Sequence, residues 1–291
     1  MKVTLENTRY QVQIDTLGAE IHHFLDKENA LEYMWQADPT HWGRHAPILF
    51  PIVGTLKHNE YKVGEEVYTL PRHGFARDQE FQVMECTEQH ARFRLTDTAE
   101  TKKMYPFAFC LDVLYTLVDN QLTVQYHIEN PSQQTLHFSV GGHPAFNVPV
   151  DPSLAFEDYY LVSEPLKSRT FLPLKDDLID LEHKTLGQTN TAIDLTHDLF
   201  KEDALIFETK GKTAFSIRSD SSPHGVTVSY TDLPYFGVWS TSPVESNFVC
   251  LEPWAGIADT VDTTGDFSKK LGIQTLAHDE VFDTSYTISV Y

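Results

Sequence analysis

Apolar residues in this chain recur at every second position, segment after segment, and that spacing argues for strands rather than a helical core. Successive side chains on a strand point to opposite faces, so such alternation gives one buried face and one wet face. Val3 and Leu5, then Tyr10, Val12 and Ile14, predict an opening hairpin. Tyr61–Leu70 predicts another, turning near Gly64. Phe81–Val83 is followed by Ala91, Phe93 and Leu95. The clearest pair is Phe109, Leu111, Val113, Tyr115 and Leu117, then an Asp119–Asn120 turn, then Leu122, Val124, Tyr126 and Ile128. Leu205–Glu208 and Ala214–Ile217 flank a turn at Lys210–Gly211–Lys212. Val226, Val228 and Tyr230, and the terminal Tyr286, Ile288 and Val290, add two more strands.

Helical signals are short, at Ala99–Met104 before Pro106 and at Phe267–Leu271 before Gly272. Neither repeats nor a Gly/Pro/Ser-rich linker divide the chain. The expectation is an all-β fold, a large antiparallel sandwich, in one domain spanning residues 1–291. Asp151–Asp198 is less regular and predicts long loops, which in compact domains often serve function.

Charge narrows the partners. The formal net charge is −20, which opposes nucleic-acid phosphates and anionic membranes. A small-molecule partner is expected, with no nucleic acid and no membrane; the oligomeric state is not legible. Cys86, Cys110 and Cys250 are odd in number and widely spaced, with no C-x-x-C, so neither a disulfide framework nor a zinc site is indicated. With no basic–apolar leader after Met1 and no long apolar run, the chain reads as cytoplasmic.

Three phrases carry acid–base residues in constrained settings. In Arg72–Asp78 (RHGFARD), His73 precedes a glycine and has Arg72 and Arg77 as neighbours. In Gly141–Phe146 (GGHPAF), two glycines allow close backbone approach and Pro144 biases His143 to an extended conformation. In Cys250–Gly256 (CLEPWAG), Glu252 ends an apolar run, where burial raises a carboxyl pKa and makes a better base near neutrality. Each also has a structural reading: a loop histidine bound to backbone, a strand-end histidine, a strand-end or ion-paired glutamate. Trp254, Phe146, Tyr235 and Trp239 are candidates for a sugar-stacking platform or for the core. Asp203, at the start of a predicted strand, could accept sugar hydroxyls. Phosphate-loop, dinucleotide, serine-hydrolase and H-E-x-x-H motifs are absent. Nothing in the spacing of His73, His143 and Glu252 demands a metal, and none is expected.

These phrases, with Ala46–Gly54 (APILFPIVG) and Tyr105–Phe109 (YPFAF), occur in one order along the chain. Together they make it resemble the aldose 1-epimerase (mutarotase) family, in its LacX-like branch, over essentially its whole length. The resemblance implies a galactose mutarotase-like β-supersandwich and cofactor-free interconversion of the anomers of a hexose or related sugar. By motif position it implies His143 as general acid, Glu252 as general base and His73 as an assisting, sugar-binding histidine. Arg44, Arg77 and Asp203 are implied to bind substrate. Thr55 stands where the branch often has an arginine. Hexose 6-phosphates are an alternative substrate class, and a non-catalytic sugar sensor is an alternative function.

Overall fold

A computed structural model describes all 291 residues. The strongest alternation in the sequence forms its longest hairpin. Cys110–Val118 pairs antiparallel with Gln121–Glu129, and Asp119 takes the positive φ of 51° that this tight turn requires. In Gln121–Glu129, Leu122, Val124, Tyr126 and Ile128 are buried and the residues between them are not.

Two large antiparallel sheets result. The nine-stranded sheet is centred on this hairpin and on Val281–Val290, which pairs with Gln121–Glu129 on one side and Val226–Thr231 on the other. The eight-stranded sheet is centred on Tyr235–Trp239 and Phe248–Ala255, with Leu205–Glu208 beyond the first and Val140–Gly142 and Ala145–Asn147 beyond the second. A four-stranded sheet from the first 32 residues completes the sandwich. All three feed one apolar cluster of 62 buried residues. This is the all-β antiparallel architecture that the alternation predicts, and helix is confined to Thr101–Met104 and a few 3-10 turns.

Two expectations change in detail. The Lys210–Gly211–Lys212 turn does not close a hairpin, because Leu205–Glu208 and Lys212–Arg218 lie in different sheets. The turn carries the chain across the sandwich, and Phe207 and Phe215 meet in the core with ring centroids 6.1 Å apart. The stretch expected to be long loops contains short strands, Tyr160–Glu164 in one sheet and Arg169–Phe171 in the other.

Phe248–Ala255 positions the site. All eight of its residues are buried. Val249, Leu251 and Ala255 enter the main core, whereas Phe248, Cys250 and Trp254 face outward into two smaller apolar clusters. Glu252 shares their outward parity and lies between them. The outer face of this sheet is therefore dry on both sides of a carboxyl group.

Candidate active site

Backbone register brings the acid–base pair together. Gly141 pairs with Trp254 and Ala145 with Cys250 in the same antiparallel register, which sets His143 directly opposite Glu252. The Leu251 N–H donates to the Pro144 carbonyl at 3.1 Å, so that rung is hydrogen-bonded. The adjacent His143/Glu252 rung is then of the non-hydrogen-bonded kind, where side chains approach most closely. His143 Nε2 and Glu252 Oε2 are 3.2 Å apart, with side-chain exposures of 8% and 2%. Glu252 thus sits within a central strand, not at a strand end. Pro253 is tolerated there because its missing N–H faces the interruption between Val140–Gly142 and Ala145–Asn147.

The glycine pair before His143 serves packing. A Cβ on Gly141 would come within 2.5 Å of the Trp254 ring, and so would one on Gly237, opposite Glu252 on the other side. The indole of Trp254 lies across both.

Burial governs the protonation of the pair. It pushes the His143 imidazole down to about 3, and the charges of Arg77, Arg44 and Arg72 act the same way. Burial pushes the Glu252 carboxyl well above the usual carboxylate range, and the negative charge of Asp203 adds to it. Burial therefore favours neutral imidazole and neutral carboxyl. His143 Nδ1 and Glu252 Oε2 are buried without a well-formed hydrogen bond to a neighbouring side chain; the His143 backbone favours the protonated ring and the Trp254 indole the Glu252 carboxylate, both effects smaller than burial.

His73 is fixed at φ 66° by two hydrogen bonds to one residue. Its N–H donates to the Gly54 carbonyl at 2.9 Å, and its Nδ1 accepts the Gly54 N–H at 3.1 Å. An imidazole that accepts at Nδ1 carries its neutral proton on Nε2. Burial, with the neighbouring His143 and Arg77, holds His73 well below its ordinary value. Its ring meets His143 edge-on at 5.4 Å.

These groups line one pocket of about 260 Å³ with Arg72, Arg77, Asp177, Asp203, Trp42, Trp239 and Trp254. Arg77 donates through Nη2 to the Arg72 carbonyl at 2.6 Å, and burial lowers its guanidinium to about 10. Asp203, at φ 77°, stands just before Leu205–Glu208, and its Oδ1 accepts the Ala204 N–H at 2.6 Å. Arg72 pairs with Asp177 at 2.7 Å. Asp177 comes from the tight turn between Leu174–Lys175 and Leu178–Ile179, where Asp176 and Asp177 both have positive φ.

Two sequence expectations are corrected by position. Arg44 is outside the pocket lining and pairs with Asp78 at 2.8 Å. Phe146 is fully buried in the main core, because its strand alternates and Ala145 takes the outward place. Tyr235 takes the core alternative, packing in the apolar cluster with Trp254 off the pocket wall. Trp42 and Asp177 were not foreseen. Trp42 sits in the phrase HWGR just before Arg44, so proximity to that candidate was its available signal; Asp177 has only an Asp–Asp turn signal.

A buried ion pair backs the pocket. Lys270 Nζ lies 3.2 Å from Asp259 Oδ1, and Asp259 Oδ2 accepts the Lys57 N–H at 3.0 Å. The Asp259 N–H also donates to the Thr55 carbonyl at 2.9 Å. This knot holds Thr55 and Ala258, both on the pocket wall.

Two trios bring ligand-type atoms within 4.8 Å of one another: His143, Cys250 and Glu252, and Glu20, His22 and His45. In the first, burial pushes the Cys250 thiol well above its ordinary value, which disfavours a thiolate ligand. In the second, Glu20 already accepts the His45 and Ala46 N–H groups, each at 2.8 Å. The two imidazoles there stack at 3.9 Å and 13°, so their in-plane lone pairs do not converge on one ion. No helix is long and apolar enough to cross a membrane.

Comparison with known proteins points one way. The family model described as "Aldose 1-epimerase" matches residues 1–271. The plasmid-borne protein LacX of Lactococcus lactis subsp. lactis is 32% identical, over 100% of this chain and 99% of that protein. A crystal structure of a galactose mutarotase related enzyme from Lactobacillus acidophilus is 42% identical with a TM-score of 0.99, covering 100% of this chain and 97% of that one. A galactose mutarotase-like protein from Lactobacillus casei is 30% identical with a TM-score of 0.91, over 100% of both chains.

Proposed function

Since the chain belongs to the aldose 1-epimerase family, we propose that it interconverts the α and β anomers of a hexose or related sugar by acid–base ring opening. The observation that carries this reading is the buried His143–Glu252 rung, with 3.2 Å between Nε2 and Oε2.

Glu252 takes the proton from the C1 hydroxyl as His143 gives one to the ring oxygen. The C1–O5 bond breaks, C1 becomes an aldehyde carbon, and rotation about C1–C2 turns its other face toward O5. Reclosure reverses both transfers and forms the other anomer. The neutral pair and the imidazolium–carboxylate pair contain the same number of protons. Ring opening starts from the charged form and leaves the neutral form, which burial favours. Each partner contributes about 10²–10⁴-fold. In this reading His73 Nε2–H donates to a sugar oxygen, while Asp203 and Arg77 orient hydroxyls. The tryptophans supply apolar faces for the sugar C–H surface.

The test is anomer exchange followed by NMR for glucose, galactose and their 6-phosphates, with wild type, His143→Asn and Glu252→Gln. Acceleration by wild type and its loss in both variants is expected. Sugar binding without acceleration would transfer the chain to the sensor class. Full activity in either variant would remove that residue from the mechanism.

A further inference from the structure

An acid–base imidazole is usually held by a hydrogen bond on its second nitrogen. His143 has none from another residue, its own backbone being the hydrogen-bonding group that favours protonation of the ring. Packing against neighbouring rings orients the imidazole as well. Trp42 lies against its face, with centroids 5.0 Å apart and planes within 24°. Trp239 and His73 meet the ring at its edge, at 5.7 Å and 5.4 Å.

Trp42 is itself fixed from several directions. It stacks on Phe248 at 5.6 Å and meets Trp239 edge-on at 5.5 Å. Its backbone N–H donates to the Asp38 carbonyl at 2.9 Å, and its carbonyl accepts the Trp35 indole N–H at 2.9 Å. The loop is tied down next door, where the Ser246 hydroxyl bonds His41 Nδ1 at 2.7 Å.

The electrostatics give this contact a second consequence. Arg77, Arg44 and Arg72 all disfavour a positive charge on His143, as does burial. In the charged form of the pair, Glu252 is the anion directly facing the ring. Besides the backbone of His143 itself and the Asp203 and Asp177 carboxylates on the pocket wall, the indole π face is a further group able to favour a cation there, and tryptophan is the best aromatic for it.

Building on the proposed epimerase reading, we propose that Trp42 is the positioning residue of the general acid: its indole holds the His143 ring in register with Glu252 and stabilises the imidazolium from which ring opening starts. A face-on contact of this kind, desolvated, amounts to roughly tenfold in the imidazolium population.

The experiment grades the π face at constant shape. Tryptophan, 5-fluorotryptophan and 5,7-difluorotryptophan are placed at position 42 by nonsense suppression, alongside Trp42→Phe and Trp42→Leu. Anomerisation kinetics are read with the best sugar. The expected result is a stepwise fall in kcat with each fluorine and little change in KM. Trp42→Leu should fall about tenfold, and Trp42→Phe should recover part of the loss. A kcat indifferent to fluorination would overturn the proposal, as would a change confined to KM, which would make Trp42 only a sugar platform. Imidazole ¹⁵N spectra of His143, assigned by difference from His143→Asn, provide a reading independent of turnover. With sugar bound, the imidazolium fraction should drop in Trp42→Leu, and an unchanged fraction counts against the proposal. A wild type that binds sugar without turnover fails the epimerase reading, while these spectra still decide the role of Trp42.

Discussion

Replacing Lys270 with methionine isolates the ion pair behind the pocket. Lys270 and Asp259 have side-chain exposures of only 2% and 4%. Lys270 Nζ also donates to the Ile257 carbonyl. In Lys270→Met the apolar stem volume is kept, but the Asp259 carboxylate stays buried with the Lys57 N–H as its remaining partner. Stranding one member of a buried pair costs about 3–5 kcal/mol. At about 2 °C per kcal/mol for a domain of this size, Tm should fall by about 6–10 °C. Asp259→Asn in the same chain removes the stranded charge while its amide oxygen still accepts from Lys57, so the double variant should regain at least half of the loss. Because the knot holds Thr55 and Ala258 on the pocket wall, Lys270→Met should raise KM more than it lowers kcat. Urea unfolding, thermal scans and sugar kinetics on the four proteins of the cycle give the comparison. A single variant within about 1 kcal/mol of wild type would refute the reasoning. So would a double variant no more stable than the single, which would show that the unpaired charge is not what destabilises it.

Further expectations concern the dyad and its neighbours. His143 is depressed in the fold, from 6.5 to about 3, so the unfolded chain binds the proton first as pH falls. Its contribution to stability is lost below pH 6.5, and the advantage of wild type over His143→Asn should shrink by roughly 1 kcal/mol from pH 7.5 to 5.5; a constant difference in urea unfolding would contradict this. Gly237→Ala would place a methyl 2.5 Å from the Trp254 ring, so a loss of about 1–3 kcal/mol and a higher KM are expected, and unaltered values for both would show that the indole yields freely. Asp177→Asn releases Arg72 and removes a negative charge from the pocket. It should raise kcat/KM for hexose 6-phosphates over the free sugars by several-fold at low salt, and less at high salt; an unchanged ratio would place the phosphate elsewhere.

Alternation made most of the sandwich legible. Leu122 to Ile128 and Tyr286 to Val290 each have one wet face, and period two records that directly. Phe248–Ala255 was harder, since both its faces are buried and alternation vanishes. Its continuous apolar run marked Glu252 as buried but suggested a strand end at Pro253. The true position depends on the break in a neighbouring strand, which is non-local. The same non-locality hid the arch at Gly211, because a turn signal states where the chain reverses and not which sheet receives it. The pocket's histidines were visible through their rigid phrases. Arg44 was misplaced because its partner, Asp78, lies far along the chain, and Trp42 was missed because one aromatic in a loop has no period to announce it.

The His143–Glu252 rung also divides labour within the molecule. The gap between the proposed proton donor and acceptor follows from the register of the sheet, which sets the two residues on one rung. Trp42, Arg72, Asp177 and Asp203 all reach the same pocket from turns and connections. The proton spacing therefore belongs to the frame and discrimination to Arg72, Asp177 and Asp203, with Trp42 the loop residue that serves the proposed acid. A library varied only at Arg72, Asp177 and Asp203 should change which sugar is accepted while leaving the proton spacing untouched.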